Sequence, residues 1–397
     1  MKFFFNMCNS NTTKMTKKII IIILFFLFFA CFAICPKVCN AIDYTQIKNK
    51  NILNSQFEES NANELKNAVD DETKKNLDEL GVSSPEISQM QNFSVKNFFK
   101  FIFVKALKTI KQPIVIFSNC LAVILITALF YNFKPNSSAN NLMDLITTLC
   151  TYTILITPII KCVVSVSRTI KNFENFMLCF IPVFTGTIAM NFKTTTSIGY
   201  SSTVFFIAQF ISAAISNILL PITGAFLAFS VVGGMCSNLQ ISAITATVKK
   251  ITIFALMFMV TIFIGLFSLQ TSIAASTDNI GIKAAKFVSS SFIPIIGGAL
   301  GDALASVVGG LNLIKSAVGG FGILVCLATF VPPIVNIGLF LIMISTIGSI
   351  AKSFKINLVD QTCASTKDCL SILLSFLICY GILMISTTSI IINLTSK

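Results

Sequence analysis

Nearly all of the chain after residue 111 consists of apolar runs of roughly 20 residues, separated by short polar gaps. Only 11% of the residues are charged, and the mean hydropathy is +0.84. Because so little charge cannot cover the surface of a soluble fold, the solvent of these runs is lipid. A bilayer offers the backbone no hydrogen-bond partners, and uniformly apolar runs favour helices over barrel strands. We therefore expect an all-α polytopic integral membrane protein.

The apolar runs predict roughly six to nine transmembrane helices. The predicted spans are 112–132, 142–160, 174–192, 201–220, 221–236, 251–273, 317–331, 332–350 and 370–393. Pro221 lies between two of them, and Pro332 and Pro333 interrupt one very long run. A proline ends or kinks a helix, so these positions are either turns between spans or kinks within them.

Residues 1–41 have the pattern of a secretory signal peptide. Lys14, Lys17 and Lys18 directly precede an uninterrupted apolar run from Ile19 to Cys35, and small residues follow at 39–41, where cleavage is expected. Removal of this segment is the preferred interpretation. An uncleaved anchor is the alternative, because the apolar run is long enough to remain in a membrane.

Residues 42–95 form the polar part of the chain and carry ten of its sixteen acidic residues. Export of the signal would place this segment outside the cytoplasm. Its stretch from Asn61 to Leu80 mixes apolar and charged residues in the pattern of an amphipathic helix, whose apolar residues are Leu65, Val69, Leu77 and Leu80. The segment is too small for a core of its own, so we expect a tether or a segment that docks on a partner.

Residues 96–111 alternate five lysines with aromatic and aliphatic residues, immediately before the first span. This pattern is typical of an amphipathic helix that lies in the membrane interface, touching lipid headgroups. A pore-lining helix is the alternative. The multi-pass membrane domain then comprises residues 112–397.

Composition excludes several functions. Without histidine or tryptophan, the chain cannot build Ser-His-Asp or Cys-His catalytic arrangements, and the commonest zinc ligand is missing. No CxxC pair occurs among the thirteen cysteines, and we expect no metal or cofactor.

Cys363 and Cys369 are either a disulfide in one polar loop or two free thiols. The charge of +13 is spread over loops as lysine, which indicates contact with anionic headgroups and not with nucleic acid.

Residues 287–322 carry the strongest candidate for a functional element. Eight glycines lie between Gly297 and Gly322, where Asp302 and Lys315 are the only charged residues. This predicts a broken or re-entrant segment, in which small residues permit close helix contact. Charge at membrane depth is costly and marks Asp302 as a functional candidate. The plainer alternative is that Asp302 caps a helix in an interfacial loop. The candidate pore or helix-packing residues are Pro294, Gly297, Gly298, Gly301, Asp302 and Lys315.

Two further interpretations of this segment fail or carry less support. Gly309 to Ser316 has the spacing of a phosphate-binding loop, but Ile314 stands where that loop needs glycine, so no nucleotide is expected. A stand-alone transporter with its site at 297–302 predicts internal repeats, and no matching pair of broken segments occurs. An enzyme is weaker still, because no two of the six acidic residues beyond position 100 share a helical face within a span.

The same region carries a set of characteristic runs: Ala285-Lys286-Phe287-Val288, Phe292-Ile293-Pro294-Ile295-Ile296-Gly297, Asp302-Ala303, Leu313-Ile314-Lys315 and Ala317-Val318-Gly319. Further runs are Ile181-Pro182-Val183, Leu220-Pro221 and Ser268-Leu269-Gln270. In these runs the chain resembles the stage III sporulation protein AE family of endospore-forming bacteria. The chain departs from the family pattern at Gly301, where a hydroxyl residue is usual, and at Ser316, where asparagine is usual.

The resemblance implies a non-enzymatic, multi-pass protein of the mother-cell membrane around the forespore. It implies a channel complex that joins the two membranes after engulfment and sustains late forespore gene expression, the activity of the late forespore sigma factor. The implied partners are the other stage III A proteins, including an ATPase and ring-forming subunits, together with a forespore-side intermembrane protein. The family supplies no catalytic residue to carry over.

Overall fold

A computed structural model describes residues 50–90, 93–133, 137–214, 241–292 and 297–395, with short pieces at 217–218, 221–222 and 224–225. The described residues form helices and contain no strand, so the prediction of an all-α fold is confirmed. The predicted signal peptide at 1–41 and the predicted span at 221–236 fall outside the described helices.

Eleven helices make up the described part of the chain. The first five are short: α1 Lys50–Glu59, α2 Glu64–Ala68, α3 Asp71–Leu80, α4 Ile87–Met90 and α5 Val95–Thr109. The other six are longer: α6 Lys111–Asn132, α7 Ser137–Met190, α8 Thr194–Ala214, α9 Ile241–Phe292, α10 Gly297–Ser353 and α11 Asn357–Thr395.

The centre of the fold is an antiparallel hairpin of α10 and α11. Cys326 on α10 lies against the Gly381 carbonyl of α11, and Gly348 lies against Asp360 near the start of α11. In the most apolar stretches of α10 and α11, 78% and 83% of the residues are buried, whereas the figure is 17% in α6 and α9. The hairpin is therefore the core, and α6 and α9 are the outer helices.

Five described helices are long and apolar enough to cross a membrane: α6, α7, α9, α10 and α11. This is fewer than the six to nine predicted. One cause is that adjacent predicted spans are single helices, 142–160 with 174–192 in α7 and 317–331 with 332–350 in α10. The predicted loop at 161–173 is helical because it contains neither glycine nor proline to end the helix.

The polar segment before the membrane helices folds onto them. The pair α2 and α3, here called the arm, buries Leu65, Val69, Leu77 and Leu80, the four apolar residues that the sequence singled out. The predicted single helix over 61–80 is wrong, because Val69 is extended and the Asp70 carboxylate accepts from the Thr73 N–H at 2.8 Å. That hydrogen bond caps a new helix. Gly81, at φ 84°, ends it.

The arm contacts α10 at the double proline. A proline has no N–H, so Pro332 leaves the Ala328 carbonyl without its usual donor one turn earlier. The Asn76 side-chain amide donates to that carbonyl at 2.9 Å. The hydroxyls of Thr73 and Thr329 lie 3.2 Å apart beside it. The arm thus replaces the hydrogen bond that Pro332 removes, and α10 continues as one helix through both prolines.

We expect Asn76→Leu to destabilise the protein by about 1–3 kcal/mol, because the buried Ala328 carbonyl then lacks a donor. In a Pro332→Ala background the backbone N–H of residue 332 is restored, so the same Asn76→Leu change should cost clearly less. Thermal unfolding in detergent of the two single variants and the double variant measures this coupling. Equal costs of Asn76→Leu in the two backgrounds would show that the amide does not compensate for the proline.

Glycines allow α10 to approach α7 and α11. A Cβ at Gly322 would overlap the Phe180 ring of α7, and one at Gly319 would lie 2.7 Å from Ile392 of α11. Phe180 cannot move aside easily, because its ring is stacked between Phe176 and Phe184 with centroids 5.5 and 5.2 Å away. Close helix contact thus occurs at Gly319 and Gly322, whereas the contact that the sequence led us to expect at Gly297 and Gly301 stays a prediction.

Replacing Gly322 with Ala should lower stability by about 1–3 kcal/mol through overpacking against Phe180. Gly309→Ala is the matched control on the same helix, since no atom lies within 4 Å of its added Cβ. Unfolding midpoints in detergent compare the two variants. If Gly322→Ala is as stable as Gly309→Ala, the contact with Phe180 is not close.

Candidate functional site

Lys315, predicted as a site residue, is completely buried on α10. Its ammonium donates to the Asn312 side-chain oxygen at 3.1 Å, one helical turn earlier. A buried ammonium is costly unless hydrogen bonds or charges compensate it. Ionisable residues inside membrane bundles mark functional or packing sites for this reason. Lys315 is therefore the starting point of the candidate site.

Lys193 lies near Lys315, and Asp278 lies near Lys193. Lys193 lies in the turn between α7 and α8, after Phe192, whose φ of 59° reverses the chain direction. Its ammonium is near enough to that of Lys315 for the two to repel each other. Burial lowers the pKa of Lys193, and the nearby Asp278 carboxylate opposes that change. We call Lys193, Asp278 and Lys315 the Lys315 cluster.

Asp278 of α9 holds the beginning of α8 in place. Its two carboxylate oxygens accept from the backbone N–H groups of Thr195 and Thr196, at 3.0 and 2.8 Å. The first N–H groups of a helix have no partner within the helix, and a carboxylate there also interacts favourably with the helix dipole. The carboxylate thus caps α8 and brings negative charge to the buried Lys193.

A second buried charged site joins α9 to α11. The Lys249 ammonium and the Asp368 carboxylate form an ion pair at 2.8 Å, with their side chains 8% and 9% exposed. The hydroxyls of Thr245 and Ser365 lie 3.5 Å apart one turn away. Lys367, also buried, interacts with both members of the pair. These contacts fix the register of α9 along α11.

The two charged sites lie at opposite ends of the α10–α11 hairpin. Ile392 of α11 contacts Gly319, one turn from Lys315, whereas Asp368 is near the other end of α11. The 24 residues from Asp368 to Ile392 span about 36 Å of helix. The arm contacts α10 at Ala328, between the two sites.

Among the predicted site residues that the structure describes, Lys315 lies apart from the other four. Gly297, Gly298, Gly301 and Asp302 lie in the first turns of α10, where the structure describes the backbone but not the side chains. Lys315 lies 13 residues beyond Asp302, about 20 Å further along the same helix. α9 ends at Phe292, and Pro294 falls in the gap before α10, outside the described residues. Asp302 is inside a helix and not in a capping loop.

Sequence reasoning missed Lys193, Lys249, Asp278 and Asp368 as site residues. Asp368 is 119 residues from Lys249 in the chain, so no local spacing indicates their pairing. The sequence offers one general signal for these four residues. Each of them lies in or beside an apolar run, where a charge needs a partner. Cys363 and Cys369, left open as a disulfide or two thiols, are both free and lie on α11.

Long apolar helices that bury paired charges between them define an α-helical integral membrane protein. The family model described as Stage III sporulation protein AE matches residues 82–395. The chain therefore belongs to the stage III sporulation protein AE family, which confirms the resemblance found in the sequence.

A curated relative supports this assignment. Over 166 residues the chain is 30% identical to the protein named Stage III sporulation protein AE of Bacillus subtilis (strain 168). The alignment spans 41% of this chain and 42% of that relative. No solved structure matches the chain.

Asp368→Leu should destabilise the protein by about 3–5 kcal/mol, because it leaves the Lys249 ammonium buried without that carboxylate. Lys249→Met combined with Asp368→Leu should recover most of the loss, since both charges are then gone. Lys250→Met, at the exposed neighbouring position, is the control and should be near neutral. Unfolding in detergent measures the wild type, Asp368→Leu, Lys249→Met, the double variant and the Lys250→Met control. Additive losses in the double variant would contradict a buried pair.

Proposed function

We propose that this protein is a non-enzymatic membrane component of the channel complex that joins mother cell and forespore during sporulation. In this proposal it acts after engulfment and is required for late forespore gene expression, through the activity of the late forespore sigma factor. The observation that carries the proposal is the family match over residues 82–395. It includes the whole membrane region of the described chain, from α6 to α11.

The arrangement of charges supports a structural function and not a catalytic one. Asp368 is bound to Lys249, and Asp278 is used to cap α8. These carboxylates are held against groups of the protein itself and lie at opposite ends of the helix hairpin. General acid–base chemistry instead needs groups within hydrogen-bond reach of one substrate. The buried charges therefore serve to orient helices against each other.

The proposal includes a location and partners. The protein lies in the mother-cell membrane that surrounds the forespore, behind a signal peptide at 1–41. Its polar segment at 42–95 faces outward, and the arm presents exposed Asp71 and Glu72 there. The partners are the other stage III A proteins, among them an ATPase and ring-forming subunits, and a forespore-side protein between the two membranes.

A complementation experiment tests this function. We expect the chain to restore heat-resistant spores, and the activity of a late forespore reporter, in an endospore-forming host that lacks its own AE protein. A tagged copy should co-purify with the other stage III A proteins after detergent extraction. Correct membrane insertion with neither restored spores nor co-purified proteins would overturn the proposal. Solute uptake by the purified chain alone in vesicles would favour the transporter hypothesis.

The same experiment examines the glycine-rich segment, which we propose as a pore or packing element comprising Pro294, Gly297, Gly298, Gly301, Asp302 and Lys315. Asp302→Ala should reduce spore formation without reducing the amount of protein in the membrane, because a charge inside an apolar helix is costly to retain without a use. Asp71→Ala, at a side chain that is 94% exposed, is the matched control. Equal spore counts for the two variants would remove Asp302 from the element.

A further inference from the structure

The outer face of α5 is both basic and apolar. Phe99, Phe103 and Leu107 follow one another at intervals of four residues and are 52%, 64% and 53% exposed. Because positions four apart lie on one side of a helix, these side chains form a continuous apolar stripe. Lys96 and Lys100 are exposed one turn apart beside the stripe. We call this stripe and its lysines the outer face of α5.

The opposite face of α5 is already occupied by the protein. Phe98 and Phe101 are buried in the core. Lys105 lies over the Phe101 ring, 5.3 Å from its centroid, and both Lys105 and Lys108 contact the Glu79 carboxylate of the arm at 3.2 Å. These contacts fix the rotation of α5 about its own axis, so that one face is packed and the other is turned outward.

The outer face has uncompensated positive charge. Among the residues that the structure describes, no carboxylate lies within ion-pair distance of Lys96, Lys100 or Lys111. The described ion pairs of this helix all involve Glu79, which pairs with Lys105 and Lys108. A surface with unpaired lysines beside exposed phenylalanines fits an occupant that is both anionic and apolar.

The position of α5 identifies that occupant. Only Ile110 separates α5 from α6, whose first residue is Lys111 and which is long and apolar enough to cross the membrane. The end of α5 is therefore at the edge of the bilayer, where headgroups meet acyl chains. Helices with a basic face and an apolar face lie in this layer, and lysines there are attracted to anionic lipids.

We propose that the outer face of α5 binds anionic phospholipid, with the lysines on the headgroups and the Phe99–Phe103–Leu107 stripe below them. This face selects the lipid that surrounds the first span and fixes the depth of the arm. The proposal rests on charge, exposure and chain continuity, and it stands independently of the channel complex.

The chain has no tryptophan, so one introduced tryptophan reports its own surroundings. Phe103→Trp protein is reconstituted in mixed phosphatidylcholine and phosphatidylglycerol vesicles, in which either lipid carries bromine on its acyl chains. At equal mole fraction, we expect brominated phosphatidylglycerol to quench the fluorescence about twofold more strongly than brominated phosphatidylcholine. Raised salt should reduce this difference, because it screens exposed charges.

Phe258→Trp is the control, on the exposed apolar side of α9, and both brominated lipids should quench it equally. Combining Phe103→Trp with Lys96→Gln, Lys100→Gln and Lys111→Gln should keep the quenching but abolish the preference for phosphatidylglycerol. Equal quenching by the two lipids in the lysine-containing protein overturns the proposal. The proposal is also overturned if aqueous acrylamide, and not bromolipid, quenches the tryptophan at position 103. That result would favour an acidic protein segment as the occupant. Equal far-ultraviolet circular dichroism shows that the variants are folded.

Discussion

The continuity of α10 depends on a hydrogen bond that α10 cannot make by itself. A helix inside an apolar bundle must satisfy every backbone carbonyl without water. Pro332 removes the donor for Ala328, and Asn76 supplies it from the arm, 252 residues earlier in the chain. The α10–α11 hairpin at the centre of the fold thus incorporates a polar segment from outside the membrane region. The core therefore packs correctly only when the arm is in place.

The other contacts between helices are of two kinds, close packing and buried charged groups. Along the middle of α10, Gly319 and Gly322 leave space for Ile392 and the Phe180 ring, so contact there is purely steric. Charged groups join other helices: Asp278 caps α8, and Asp368 pairs with Lys249. Lipid tails are as apolar as the side chains, so packing and polar contacts must provide the specificity between membrane helices. This protein uses both.

Much of the fold follows from the sequence, and the reasons for the exceptions are physical. Hydropathy predicts the all-helical membrane class, because apolar runs in lipid permit little else. Family-specific residues around Pro294 and Asp302 indicate sporulation. Hydropathy misjudges the helix boundaries, since 161–173 is polar but contains nothing that stops a helix. The pairing of Lys249 with Asp368 is beyond sequence reasoning, because it depends on how two distant helices pack.

The length of α7 has a mechanical consequence. Its 54 residues extend about 81 Å, well over twice the hydrocarbon thickness of a bilayer. One end is clamped by Phe180 and Phe184 against α10, while Thr147 and Asp144 near the other end hold α6 through Thr127 and Tyr131. The contacts continue between these attachments, where Ile159 and Val166 are buried and Asn172 donates to Asp70 of the arm at 3.1 Å. One rigid helix thus sets the spacing of α6, the arm and α10 over about 55 Å. Pro158 lies between these attachments and is the position at which a bend in α7 would change that spacing.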